Sequence, residues 1–583
     1  MTRMHRFQTL KWVRAPVDVM VISAVALAIG WSAVPLRVKA DDATPGPLSP
    51  GSNCSVATLA VLATDMVKID SAIIVQSGSA VYCKVSGRVE TQGDGAGAGL
   101  AGFELNLPAS WNRKFLFVGG GGFDGAIPPT AVAAIVKGYA TLGTDSGHHS
   151  SSGLDITWVR TISGDRDQPK LADYAWRARH QVDDRVRPLV ARYYRDLPIR
   201  YAYFMGCSGG GREAMIEAQR HPDDFDGFIA GDPWVNARSA LLWARNFKVL
   251  LAAPIPYAKF AAIDQAVLED CDKADGVVDG LIQDPAACRF DPRSLIAKGV
   301  LTVPQADALA HYLTAVKDIG GRFITYAGSL SGMGDLSSVT PPIPGGQTGL
   351  SAYVTDPPPA GFGPQPWGAF EKGPIDWLLS GGIIAGFAYN DPTLSVTSPM
   401  IVDAKGAIAP GAVKTIDHNL RQFVVDPLAM GPLFAKRHKL LIYHGFSDSI
   451  ADPYSTIGIY RQIIKVGGGL EKARAASRLF MVPEMQHCEG GTGPNSFDPL
   501  AAMETWVEHG QPPDALVAAK FPNDDPRKPA QRTMPLCAWP EVARYDGRGD
   551  KNTASSWTCP PDDRRLLQIG PAGRAAGVDL DLR

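Results

Sequence analysis

Residues 199–233 read IRYAYFMGCSGGGREAMIEAQRHPDDFDGFIAGDP, and the fold of the whole chain turns on how that stretch is punctuated. Its first part is an apolar, aromatic run ending at Met205, and from Arg212 onward Ala214, Met215, Ala218 and Gln219 recur at helical spacing, so it reads as strand, tight turn, helix. The turn is Gly206-Cys207-Ser208-Gly209-Gly210, which fits G-x-S-x-G. A nucleophile elbow needs small residues there because the turn is strained and the helix passes close to the strand while the Ser hydroxyl stays exposed. Ser208 is therefore the candidate nucleophile. A glycine-rich turn that only permits packing, or that holds a phosphate at the helix N-terminus, is the competing account. Cys207 argues for the elbow, because His487-Cys488 far downstream repeats the pairing of a catalytic residue type with a cysteine.

Outward from the elbow, strands alternate with helices. Patterns such as VYCKVSGRVE within 80–107 predict antiparallel strands, 114–118 a short buried strand, 139–142 another, and 228–230 the strand after the elbow helix. A long amphipathic helix is expected over 171–194, with Tyr174, Ala178, Val182, Val186 and Leu189 on one face. After Pro233 this rhythm breaks into Pro- and Gly-rich loops such as 339–363, with the aromatic residues Trp243, Trp367, Phe370, Trp377 and Phe387, and it resumes with strands at 439–443 and 478–482. The expectation is an α/β fold with a mostly parallel sheet, interrupted after the nucleophile strand region by a large lid. The divisions are 1–40, 41–233, a lid at 234–425, and 426–583 for the second part of the sheet domain.

The 583 residues are 45% hydrophobic and 20% charged with a formal net charge of -2, the balance of a large enzyme and not of a nucleic-acid binder. Arg3, Arg6, Lys11 and Arg14 precede a mostly apolar run over 19–34 and then Val38-Lys39-Ala40, the three parts of a secretory signal. Cleavage near residue 40 and a periplasmic or secreted mature chain are expected, with a retained anchor as the alternative; residues 41–51 read as a flexible entry. All eight cysteines follow that point, and an even count in an exported chain argues for disulfides. Sequence alone permits many pairings. Neighbours suggest Cys54 with Cys83, Cys271 with Cys288 and Cys537 with Cys559, which leaves Cys207 and Cys488 for each other.

Asp448 and His487 each follow a resumed strand, where α/β active sites lie, and with Ser208 they give the order Ser, Asp, His. In such a triad the His takes the Ser proton while the carboxylate fixes its tautomer. Asp452 is the rival acid, although Pro453 after it suggests a helix cap, and His444 is the rival base. The loop Gly119-Gly120-Gly121-Gly122-Phe123 can present backbone N–H groups as an oxyanion hole requires. A Cys207 to Cys488 bond would hold the two backbones together and so preorganise Ser208 against His487.

These motifs resemble the tannase and feruloyl esterase family, which includes the bacterial mono(2-hydroxyethyl) terephthalate hydrolase. The resemblance rests on Gly206-Cys207-Ser208-Gly209-Gly210-Gly211-Arg212, His444-Gly445-Phe446-Ser447-Asp448, His487-Cys488-Glu489-Gly490-Gly491, and Phe497-Asp498 with Trp506-Val507-Glu508, and it spans the mature chain. It implies an α/β-hydrolase fold with a large lid, a Cys207 to Cys488 bridge, and oxyanion donors at Gly209 and at Gly122, with Gly121 the neighbouring option. Within the lid, three carboxylates between glycines in 271–281 could wrap a hard cation, although the spacing is not that of an EF-hand. The resemblance implies a structural Ca²⁺ held by the side chains of Asp272, Asp275 and Asp279 and the carbonyls of Val277 and Leu281, bracketed by Cys271 and Cys288. The alternative is an acidic turn without metal.

The function expected is a secreted serine carboxylesterase for esters of aromatic acids, of feruloyl, galloyl or terephthalate half-ester type, acting through an acyl-enzyme on a small aromatic ester. The lid aromatics would supply flat walls for the acyl group. The alternatives are a non-catalytic, calcium-stabilised binding protein on the same fold, and a triad hydrolase for other acyl substrates such as peptides or lipids.

Overall fold

In the computed structural model, residues 53–150, 152–333, 364–365, 367–368, 375–436 and 438–561 are described. The expected signal segment 1–40, the entry at 41–51, the loop at 339–363 and Phe370 lie outside them. A nine-stranded sheet organises the rest: β1 (Val67–Ser77), β2 (Ala80–Thr91), β3 (Gly99–Pro108), β4 (Lys114–Val118), β5 (Ala140–Thr144), β6 (Tyr201–Cys207), β7 (Gly227–Gly231), β10 (Lys439–Gly445) and β11 (Ser477–Val482). A two-stranded hairpin of the lid supplies β8 (Val316–Lys317) and β9 (Phe323–Thr325). The spatial order is β1-β2-β3-β5-β4-β6-β7-β10-β11, antiparallel through the β3–β5 pair and parallel from β5 onward.

Burial follows from that topology. β7 and β11 are buried at every residue, as parallel strands covered on both faces must be, whereas β1 is an edge strand that leaves Ile73 and Ile74 exposed. The sequence reading began the sheet at β2 and missed this edge. One face packs Phe117, Phe204 and Ile442 against the helices Ala178–Tyr193, Gly209–Arg220 and Pro453–Val466. The other packs Leu116, Tyr203 and Leu441 against Met503 and Trp506 of the helix Pro499–His509.

The single helix expected over 171–194 is in fact three segments: an α-helical turn Gln168–Ala172, a π-helical turn Asp173–Arg177, and the α-helix Ala178–Tyr193. A π turn adds a residue and rotates what precedes it. Ala178, Val182, Val186 and Leu189 keep to the sheet as expected, while Tyr174 joins a different core with the lid residues Trp243, Trp377 and Phe387.

Four disulfides close the described chain, Cys54–Cys83, Cys207–Cys488, Cys271–Cys288 and Cys537–Cys559, the pairing that sequence neighbours suggested. Among the described residues no helix is long and apolar enough to cross a membrane.

Candidate active site

Ser208 stands between β6 and the helix Gly209–Arg220 with φ 61° and ψ -121°, a left-handed conformation that a non-glycine residue adopts only when its surroundings enforce it. Three bonds hold it there. The Ser208 N–H donates to Gly231 O at the end of β7 (2.9 Å), and Ser208 O accepts from the N–H groups of Arg212 in the first helical turn (3.0 Å) and of Trp234 (3.3 Å). Beyond the elbow, Cys207 and Cys488 are bonded with their Cα atoms 6.0 Å apart, so the residues flanking the bridge, Ser208 and His487, belong to one locked segment.

Asp448, just past β10, is buried, and His487, after β11, keeps part of its ring exposed. His487 Nδ1 lies 2.7 Å from Asp448 Oδ2. The other oxygen, Asp448 Oδ1, accepts the N–H groups of Ile450 (2.7 Å) and Ala451 (2.9 Å), which fixes the carboxylate plane. Burial alone would raise the pKa of Asp448, but the imidazoles of His487 and His444 outweigh it and hold this carboxyl well below the usual range. Burial likewise works against charge on His487, and the Asp448 carboxylate overcomes it, raising the imidazole above 6.5.

The two rivals are accounted for locally. Asp452 caps the helix Pro453–Val466, accepting from Tyr454 N (2.9 Å) and from Ser455 Oγ (2.7 Å). His444 is wholly buried. Its Nδ1 meets Thr456 Oγ1 and its Nε2 meets the Ala451 carbonyl, both at 2.9 Å, and Nε2 also reaches Asp448 Oδ2 at 3.2 Å. Since a carbonyl only accepts, Nε2 carries the proton, and His444 supports Asp448 from behind. The sequence reading did not single out Asp232, which sits one residue past β7 and brings a carboxylate oxygen within 4.8 Å of both Asp448 and His487. Burial pushes its acid up to about 7.

Gly122, with φ +57°, belongs to the glycine loop after β4, and Gly209 is the first residue of the elbow helix, where the N–H groups have no intrahelical partner. The two are in contact: a β-carbon at Gly209 would stand 3.0 Å from Gly122 O and 3.1 Å from Gly122 N. The Tyr174 hydroxyl donates to Gly122 O (3.1 Å), so the loop is oriented from the π turn. The β-carbon at Gly209 would also stand 3.2 Å from Gly121 Cα, so Gly209 packs against both glycines of the loop.

Ser208, Gly122 and Gly209 open on a cleft whose other walls are Phe123, Tyr174, Trp234, Trp243, Leu379, Ile383, Ile450 and Ala451. No charged side chain lines it among the described residues. Of the named lid aromatics among the described residues, Trp243 alone lines it. Trp377 is buried in lid core, and Phe387 stacks behind the site on Tyr174 (ring centroids 5.5 Å apart) and meets Phe123 edge-on. Trp367 instead lends its carbonyl to Ile156 N and its ring to Arg160. Phe123, Tyr174 and Trp234 were missed as walls because they flank motifs read for other reasons.

In the acidic loop, Asp272 accepts the N–H groups of Asp279 (3.1 Å) and Gly280 (2.8 Å), Asp275 that of Val277 (3.1 Å), and Asp279 that of Leu281 (3.2 Å). Asp275 Oδ2 is buried with no hydrogen-bond partner. Burial, reinforced by Asp279 and Asp272, pushes Asp275 up to about 7, a crowding of carboxylates that a hard cation would relieve. The residues present therefore fit such an ion. The C-terminal segment covers the loop, unforeseen from sequence: Arg532 donates to Asp279 Oδ2 and O, Arg544 to Ala274 O, and Lys551 to Val278 O.

The family profile described as "Tannase and feruloyl esterase" matches residues 83–329 and 384–560. An uncharacterized esterase of Xanthomonas campestris pv. campestris is 31% identical over 84% of this chain and 86% of its own. The mono(2-hydroxyethyl) terephthalate hydrolase of Piscinibacter sakaiensis is 28% identical over 82% of this chain and 84% of its own. Among solved structures, feruloyl esterase B from Aspergillus oryzae superposes with a TM-score of 0.69 at 22% identity, covering 86% of this chain and 98% of that one, which shows the shared α/β-hydrolase-like fold.

Proposed function

The chain belongs to the tannase and feruloyl esterase family and is a carboxylic ester hydrolase, and from that premise we propose that it is an exported serine esterase that cleaves esters of uncharged aromatic acids. What carries the reading is the cavity, in which a strained Ser208 shares the walls with Phe123, Tyr174, Trp234 and Trp243. Aromatic pairs contribute about 0.5–1.5 kcal/mol beyond buried area.

In this account Ser208 Oγ attacks the ester carbonyl while His487 takes its proton at Nε2. Asp448 holds the proton at Nδ1 and stabilises the imidazolium, which the 2.7 Å contact supports. The N–H groups of Gly209 and Gly122 receive the oxyanion. Collapse expels the alcohol, protonated by His487, and leaves the aromatic acyl group on Ser208. Water, deprotonated by the same His487, then releases the acid and regenerates the serine.

The proposal extends to a structural Ca²⁺ held by Asp272, Asp275 and Asp279 and the carbonyls of Val277 and Leu281, supported by the unpartnered Asp275 oxygen. Such an ion would tie the lid to the C-terminal segment and supply no chemistry to the triad. Export is supported by four disulfides, which persist in oxidising compartments.

The test is kcat/KM for methyl ferulate, methyl gallate, methyl benzoate, mono(2-hydroxyethyl) terephthalate and a medium-chain fatty ester. Neutral aromatic esters are expected to lead, with the terephthalate half-ester behind because its carboxylate meets no cation in the described walls. Preference for the fatty ester would overturn the aromatic reading.

A further inference from the structure

The glycine loop that carries Gly122 lies directly on the first turn of the elbow helix. A β-carbon at Gly210 would stand 2.5 Å from Gly120 O, and one at Gly119 would stand 2.9 Å from Gly210 Cα, so only glycine on glycine permits the approach. Close approach alone does not fix register, and a side chain from the helix does. Glu213, five residues after Ser208, accepts the Gly120 N–H at Oε2 (2.9 Å) and is itself 1% exposed. Its other oxygen accepts from Arg179 Nη1 (3.1 Å) on the helix Ala178–Tyr193.

Asp124, at the far end of the same loop, is 3% exposed. Ser146 Oγ donates to Asp124 Oδ2 and approaches Glu213 Oε1 at 3.5 Å. Two carboxyl groups thus share one hydroxyl, that of Ser146, which also accepts from Arg179 Nη1 at 3.4 Å. Like charges buried this close disfavour full ionisation of both. Burial and the Glu213 charge push Asp124 up, while Arg179, Arg212 and the Gly120 N–H together outweigh burial at Glu213 and hold it down.

We propose that Glu213 and Asp124 are positioning residues which, meeting at the Ser146 hydroxyl beside Arg179, pin both ends of the glycine loop to the elbow helix and thereby hold the Gly122 N–H against Ser208. This rests on the reading of Ser208 as nucleophile and Gly122 as oxyanion donor. The loop spends its backbone on an oxyanion hole and so cannot brace itself with side chains. Its bracing comes from the helix the nucleophile rides on, so that donor and nucleophile move as one body.

The test compares Glu213→Ala, Glu213→Gln, Asp124→Ala and Asp124→Asn with the parent on 4-nitrophenyl acetate, and measures inhibition by phenylboronic acid, which forms a tetrahedral adduct at an active serine. Removal of an oxyanion donor outright costs 10²–10³ in kcat, so its misplacement by Glu213→Ala is expected to lower kcat about 30-fold with KM within about threefold. Boronate affinity should fall in parallel. Asp124→Asn keeps a neutral donor toward Glu213 and should retain at least about ten times the kcat of Asp124→Ala; Glu213→Gln should fall between parent and Glu213→Ala. Melting curves identify variants that are folded at the assay temperature, and the comparison uses only those. Equal kcat for Asp124→Asn and Asp124→Ala, or kcat and boronate affinity unchanged in folded Glu213 variants, would overturn the inference. Ser208→Ala, run alongside, keeps the claims apart. If it still turns over, the nucleophile reading fails; if it is dead beside a fully active Glu213→Ala, only the positioning role fails.

Discussion

Cys207 and Cys488, 281 residues apart in sequence, are bonded to each other with Cα atoms 6.0 Å apart, one preceding Ser208 and the other following His487. A covalent clamp in this place substitutes for packing as the source of alignment, since half a turn of slippage at either strand end would separate nucleophile and base. Replacing both cysteines by alanine should lower kcat at least tenfold at a temperature where the variant is fully folded. The temperature matters, because closing so long a loop also stabilises the chain by roughly 5 kcal/mol in the chain-entropy account. Undiminished kcat in folded double variant would show the bridge to be structural only.

Asp448 and Asp452 should separate cleanly. Asp448→Asn is expected to lower kcat by about 10⁴-fold through the wrong His487 tautomer, with a small change in Tm. Asp452→Asn, which still caps its helix, should cost less than about tenfold, whereas Asp452→Ala should remove about 1–2 kcal/mol of stability through the lost cap. A mild Asp448→Asn beside a dead Asp452→Asn would reassign the acid.

The pH profile follows from the direction of the His487 shift. The base works only when neutral, and Asp448 raises the imidazole above 6.5, so kcat/KM should fall on acidification through a midpoint above that value. Asp448→Asn removes the raising charge while burial still opposes protonation, so the residual activity should have its midpoint displaced to lower pH. For stability the sign is opposite: the raised imidazole contributes fully below 6.5 and its contribution is lost as pH rises through the folded midpoint. A profile whose midpoint is unmoved by Asp448→Asn would contradict the coupling.

Much of this was legible in the sequence because it is local. The elbow, the strands at β4, β6, β7, β10 and β11, and the cap at Asp452 are each decided within about ten residues by pattern and turn chemistry. The disulfides were legible because sequence neighbours paired off and left one pair over. What was not legible depends on contacts between distant segments. The π turn at 173–177 sends Tyr174 to the cavity instead of the sheet, and periodicity read at 3.6 residues per turn misplaces it. Glu213 and Asp124 meet at Ser146 from opposite sides of the elbow; the visible signal was a pair of charges, Arg212 and Glu213, directly after three glycines. The cover of the acidic loop by Arg532, Arg544 and Lys551 spans more than 250 residues of sequence and left no local trace.

Chelation should act on stability and not on chemistry. An ion held by the native loop and not by the unfolded chain stabilises by mass action, about 2.7 kcal/mol at one hundred times its Kd. Treatment with EDTA should lower Tm by several degrees, calcium should restore it, and kcat below the transition should stay within about twofold. Asp275→Asn should reproduce the lowered Tm and abolish the response to calcium. A Tm indifferent to EDTA in protein purified without chelator would remove the site.

The account stands or falls on where the aromatic acyl group goes. With 4-nitrophenyl benzoate the leaving group is good enough for deacylation to limit turnover, so the acyl-enzyme accumulates. Rapid acid quench followed by peptide mass spectrometry should find one benzoyl group on the peptide containing Ser208, formed with a burst of nitrophenolate, and none in Ser208→Ala. Benzoate released at an undiminished rate by Ser208→Ala, or a benzoyl group carried by another residue, would contradict it.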